Sequence, residues 1–97
     1  MLVALERFDL RIPGCGSLKQ KRHVLKSLTN AIRSTFNVSV AEVDHHDLWQ
    51  RSAIAVAATG AEQYHVRKVM HQVERFVEAW GQVEVIDASL TLHYPEE

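Results

Sequence analysis

Apolar and polar residues alternate one for one near the start of the chain, where Phe8, Leu10 and Ile12 interleave with Arg7, Asp9 and Arg11. A period of two puts successive side chains on opposite faces, so residues 2–12 predict a strand with one apolar face. Pro13-Gly14 ends it, because proline cannot donate to a ladder and glycine frees the turn. The period then changes. From Ser17 to Phe36 the apolar residues Leu18, Leu25, Leu28, Ile32 and Phe36 fall on one side of a 3.6-residue repeat. Ser17 with Gln20 three residues on reads as a capping box opening that helix, and Asn37 closes it.

Two β-branched or alanine-rich runs follow, 38–44 and 50–59, joined by a link of hairpin length. Thr59 and Glu62 suggest a second capping box. The helix after it carries Val66, Val69, Met70, Val73, Phe76, Val77 and Trp80 on one arc, and Gly81 stops it. The last strand, 83–94, alternates Ile86, Ala88, Leu90 and Leu92 with Asp87, Ser89 and Thr91, and Pro95 ends it. Strand, helix, strand thus occurs twice, as a weak internal repeat. Each helix has one apolar stripe and each strand one apolar face, so both helices cover the same side of one sheet. With right-handed crossovers and a central hairpin, residues 1–97 read as a single α+β domain. Its architecture is a ferredoxin-like βαββαβ two-layer sandwich with antiparallel strand order 4-1-3-2.

Composition narrows the chemistry. A chain of 97 residues, 46% hydrophobic and 24% charged, has a globular balance and buries roughly 60–70% of its unfolded surface. Cys15 is the only cysteine, which excludes an internal disulfide and a cysteine-based zinc site. The start is charged by its sixth residue and has no signal-peptide core or membrane-length apolar span. A cytoplasmic, bacterial-type protein without a membrane partner is the expectation. The net charge of −1 conceals an imbalance: residues 1–51 hold eight Lys or Arg against five acids, and residues 52–97 hold three against seven. Ser17 to Phe36 contains Lys19, Lys21, Arg22, Lys26 and Arg33 and no acid.

That segment is the strongest functional signal. On a helical wheel Lys19, Arg22, His23, Lys26, Asn30 and Arg33 share an arc of about 100°, opposite Leu28 and Ile32. Successive phosphates of a nucleic acid are natural partners for such a stripe. Placing Lys19, Lys21 and Arg22 in the first turns opposes the helix dipole, which suggests an anion outside the chain. The plain alternative is a solvated outer face. Lys21 falls inside the apolar arc, where its stem lies on the core and its ammonium reaches the loop or the hairpin carboxylates.

The hairpin corner, Glu42 to Arg51, reads EVDHHDLWQR. Along an extended chain Asp44 and His46 point one way, and His45 and Asp47 the other. Four adjacent residues do not converge on zinc without a sharp curl, and His65 and His71 are six apart on a helix. The corner therefore reads first as a turn, with Asp44 and Asp47 bonding turn amides and Leu48-Trp49 anchoring the sheet end. His45 or His46 stays open as a base or pH-sensing imidazole, and Asp44, His45, Asp47 and Trp49 stay open as a weak candidate site. Cys15, between two glycines before a helix start, invites a thiol reading. However, a phosphatase-type Cys-x5-Arg would need arginine where Lys21 stands, and the loop lacks the Gly-x-x-Phe-Arg pattern of acylphosphatases. The open sheet face, with Arg7, Asp9, Arg11, several alanines, Asp87, Ser89 and Thr91, has no aromatic on which a base would stack.

The stretches RIPGCGSLKQKRHVLKSL and FNVSVAEVDHHDLWQR, with the strand-like start, resemble the YlxP-like proteins, a small bacterial family of undetermined function. The motifs I-P-G-x-x-S-L-K-x-K-R and V-D-x-x-D-L-W-Q carry the resemblance over nearly the whole chain. It implies a ferredoxin-like fold and frequent genomic company with translation and ribosome-maturation genes. It implies no activity, and it places Cys15 and His46 at variable positions of the pattern.

The resulting expectation is a non-enzymatic cytoplasmic protein binding structured RNA or ribosomal particles through Lys19, Arg22, His23, Lys26 and Arg33, with no catalytic residue, metal or cofactor. Two alternatives stand beside it. One is a small enzyme or sensor for an anionic metabolite, joining the 14–17 loop to the 44–47 corner. The other is a protein-interaction module or homodimer.

Overall fold

The computed structural model describes residues 1–95. Six elements follow one another: β1 (Leu2–Arg11), α1 (Leu18–Thr35), β2 (Ser39–Asp44), β3 (Arg51–Gly60), α2 (Gln63–Glu78) and β4 (Glu84–His93). They form a four-stranded sheet in the order β2-β3-β1-β4, and every neighbouring pair is antiparallel. This is the ferredoxin-like α+β sandwich expected from the periodicity.

The alternation of β1 decides which face is inside. Leu2, Ala4, Phe8 and Leu10 are buried toward the helices with Ile54 and Val56 of β3, while Leu5 and Arg11 stay exposed. Val24, Leu25, Leu28 and Ile32 of α1 close one half of the core, and Val66, Met70, Val73 and Val77 of α2 close the other. Phe36 meets Phe76 edge-on at 5.5 Å between centroids, joining the end of α1 to α2.

The loop between β1 and α1 follows its composition. Gly14 adopts φ 72°, a left-handed conformation that a Cβ would strain. Ser17 accepts a hydrogen bond from the Gln20 amide at 3.1 Å, and the Gln20 side chain accepts one from the Gly16 amide at 2.9 Å. The reciprocal bond therefore reaches one residue further back than in the usual capping box. Ser17→Ala is expected to cost about 1 kcal/mol, read as a lower urea midpoint with an unchanged m-value.

Three local expectations are corrected. Thr59 does not cap α2, because β3 runs on to Gly60 and pairs Thr59 with Val3 and Gly60 with Leu2. The N-cap is Glu62, whose side chain makes no capping bond, and α2 ends at Glu78, two residues before Trp80. Ile86 leaves the apolar stripe of β4: the register shifts there, Val85 takes the place opposite Leu10, and Ile86 is exposed. A bulge spends one residue in this way and turns it out of alternation.

Candidate nucleic-acid interface and hairpin corner

Burial of Val24, Leu25, Leu28 and Ile32 turns the opposite side of α1 outward, so Lys19, Arg22, His23 and Lys26 are all exposed. The first turn of α1 contains no acid. Among the described residues, no carboxylate lies within ion-pair distance of Lys19, Arg22 or Lys26. Arg33 is exposed as a residue, but its guanidinium is engaged. It donates to the Asn30 side-chain oxygen at 3.2 Å and to the Val40 carbonyl on the outer strand at 2.7 Å. The unengaged part of the row is thus three cations and His23 along the first half of the helix.

Lys21 lies on the other side of the same helix and is 2% exposed. Its ammonium sits 3.0 Å from a Glu42 carboxylate oxygen and donates to the His45 carbonyl at 2.6 Å. Ser52 donates to the same Glu42 oxygen at 2.7 Å. The ammonium therefore points to the hairpin, one of the two placements open from the sequence. It joins the first turns of α1 to the β2–β3 corner.

The corner is not an extended tetrad. His45 has φ 61°, and this left-handed residue breaks the alternation expected for residues 44–47. Asp44 accepts from the His45 amide at 2.7 Å and from Arg7 at 3.1 Å, and the His45 ring lies 3.7 Å from Asp9. Asp44 consequently meets Arg7 and His45 meets Asp9, two β1 residues that are themselves paired. His46, at 3.9 Å, has Glu42 instead. The His45 amide and then Arg7 hold the Asp44 carboxyl below its ordinary range, and the Arg7 hydrogen bonds do the same for Asp9.

Asp47 makes no turn bond among the described residues, and Leu48 and Trp49 remain half exposed rather than anchoring the sheet end. Asp47, Leu48, Trp49, Gln50 and Arg51 line a shallow cleft. A separate cleft is lined by Ile12, Pro13, Cys15, Gln20, Val24, Gly81 and Gln82. No residue lines both. The Cys15 thiol is buried and donates to the Ser17 carbonyl at 3.4 Å. Among the described residues, no group of three or more His, Cys, Asp or Glu side chains has an arrangement able to hold a metal ion. No described helix is long and apolar enough to cross a membrane.

Two inward-facing acids went unnoticed in the sequence. Glu6 is 1% exposed beneath α2, and burial, a hydrogen bond to Glu74 and the charges of Glu74 and Glu78 push its pKa up to about 8. The signal was its even position, in step with Phe8 and Leu10. Glu42, the acceptor for Lys21, is in step with buried Val40 on β2 and is half buried.

Comparison with known proteins gives a consistent family and no activity. The profile of a family described as "Protein of unknown function (DUF503)" matches residues 3–90. "Uncharacterized protein YlxP" of Bacillus subtilis (strain 168) is 35% identical over 83 residues, which cover 86% of this chain and 90% of that one. Among solved structures, SnoaB, a cofactor-independent oxygenase from Streptomyces nogalater, superposes with a TM-score of 0.48 at 9% identity, covering 99% of this chain and 93% of the other. A C-terminal segment of the alpha subunit of aIF2 from Pyrococcus abyssi gives 0.44 at 15% identity, covering 100% of this chain and 51% of that one. At such scores neither likeness bears on function.

Proposed function

The chain belongs to the DUF503 family of proteins of unknown function, and from that premise we propose that it is a non-enzymatic cytoplasmic protein that binds structured RNA through α1. The observation that carries this reading is the outward row Lys19, Arg22 and Lys26, with His23 between them and no carboxylate in reach among the described residues. Cations so displayed neutralise successive phosphates and release counterions. Arg33 borders the row and contributes less, since the Val40 carbonyl already holds it. The open sheet face carries Arg7, Asp9, Asp87, Ser89, Thr91 and His93 and no Phe, Tyr or Trp among the described strand residues, so bases have no large aromatic platform there. Recognition by phosphate positions reads shape rather than sequence. A ribosomal RNA helix is the ligand class tested first.

Fluorescence anisotropy against ribosomal RNA fragments at several salt concentrations tests the proposal. Three neutralised phosphates give a log–log salt slope of about −2 to −3. Lys19→Glu, Arg22→Glu and Lys26→Glu together are expected to abolish binding while the circular dichroism spectrum stays unchanged. Arg67→Glu with Lys68→Glu, on the exposed side of α2, leaves binding intact. Wild-type protein without salt-dependent retention of ribosomal RNA or subunits removes the reading.

A further inference from the structure

The sheet has two edges, and they are built differently. The β2 edge is short, its register shifts between Glu42 and Asp44, and Arg33 occupies its Val40 carbonyl. Bulges, short length and covering side chains are the usual means of blocking an edge. The β4 edge has none of these over its last seven residues. From Asp87 to His93 it pairs regularly with Val3–Asp9 on one side, and it has no strand on the other among the described residues. That stretch contains no proline and no lysine, and its titratable groups, Asp87 and His93, stand at its two ends.

We propose that this edge pairs antiparallel with the same edge of a second copy, joining two sheets into one of eight strands. The bulge at Ile86 sets the register. It limits the regular stretch to Asp87–His93, whose midpoint is Leu90. A two-fold axis at Leu90 places Leu90 opposite itself, Ala88 opposite Leu92, Ser89 opposite Thr91 and Asp87 opposite His93. Each of these is a favourable cross-strand combination, and the isologous geometry makes each occur twice apart from the central one. A one-residue slip sets Asp87 against Leu92 and loses all of them. Within one chain Asp87 lies directly opposite Asp9, a like-charge pairing. The partner's imidazole gives that carboxylate a donor. Leu90 and Leu92, only partly buried in one chain, gain cover from the second. The cations of α1 take no part, since α1 packs toward the opposite edge, against β2.

An interface of one strand per chain belongs to the small class, below about 1,200 Å². Dissociation is therefore expected at roughly micromolar concentration. Sedimentation velocity over a concentration series reads it, as a shift from 11.0 kDa toward twice that mass. Asp87→Lys removes the like-charge pair with Asp9 within the chain but also removes the carboxylate acceptor that the partner's imidazole meets across the axis. It is expected to weaken the dimer about tenfold, each change counting twice by symmetry. Asp87→Lys with His93→Asp restores it. Ser89→Lys with Thr91→Lys, both at exposed positions, leaves a folded monomer. A wild-type chain that stays monomeric at every concentration overturns the proposal, and so does a dimer that none of these substitutions moves.

Discussion

Lys21→Met is expected to lower the stability of the fold by about 3 kcal/mol, the lower end of the range for breaking a buried ion pair by removing one partner. The methionine keeps most of the apolar stem that lies among Val24, Leu25 and Leu28. What disappears is the ammonium that meets Glu42 and the His45 carbonyl. Glu42 keeps only Ser52 as a strong donor, and it retains 24% exposure, which places the cost at the lower end of the range. The left-handed turn at His45 also loses its link to α1, although Leu48 still donates to the same carbonyl. Adding Glu42→Gln removes the stranded charge and keeps an acceptor for Ser52, so the double variant should recover at least half of the loss. Urea midpoints of the two singles and the double give the coupling directly. An unaltered midpoint in Lys21→Met would show that the pair contributes nothing. RNA affinity per folded molecule should not change, because Lys21 lies on the inner side of the helix, away from Lys19, Arg22 and Lys26.

That pair also marks the limit of what a single sequence discloses. Strand alternation, the two apolar helix stripes and the Ser17 cap are local, and periodicity alone was sufficient to order the six elements. The outward position of Lys19, Arg22, His23 and Lys26 follows from the same wheel. What escaped depends on register between distant segments. Thr59 has the composition of a cap, yet the ladder to Val3 claims its backbone. Asp44 and His45 alternate only if the corner is extended, and with one positive φ Asp44 meets Arg7 while His45 meets Asp9. Arg33 sits on the cationic wheel, but only the path of β2 reveals that its guanidinium ties down Val40. Glu6 is the plainest omission, since its even position in β1 already assigned it to the core face, and only the neighbours supplied by α2 explain its state.

Glu6 should make the protein less stable as the solution turns alkaline, by about 3 kcal/mol between pH 5 and 8. The group is an acid whose folded pKa, about 8, lies above the ordinary 4.5. The native state therefore keeps a proton that the unfolded chain has already released. Its contribution is fully present below about pH 4.5, falls as pH rises through the interval, and is gone above about 8. The cause is geometric. Glu6 points from β1 toward α2, between Val56 of β3 and Leu90 of β4, and the charged groups facing it are Glu74 and Glu78. One of its oxygens has no hydrogen-bond partner, so ionisation there would go unsolvated. His71 approaches Glu74 at 3.8 Å from the exposed side of α2. Asp9 and Asp44 act in the opposite sense: their lowered values give stability that is present above about pH 4 and lost below it. Together these three groups favour stability near pH 5, the acid end of the usual range. Glu6→Gln should flatten the alkaline limb and leave the acid limb untouched, and Glu6→Leu should exceed wild type at pH 8. Urea midpoints from pH 4 to 9 read all three proteins. Parallel curves for wild type and Glu6→Gln would mean that the carboxyl is ionised in the native state at neutral pH.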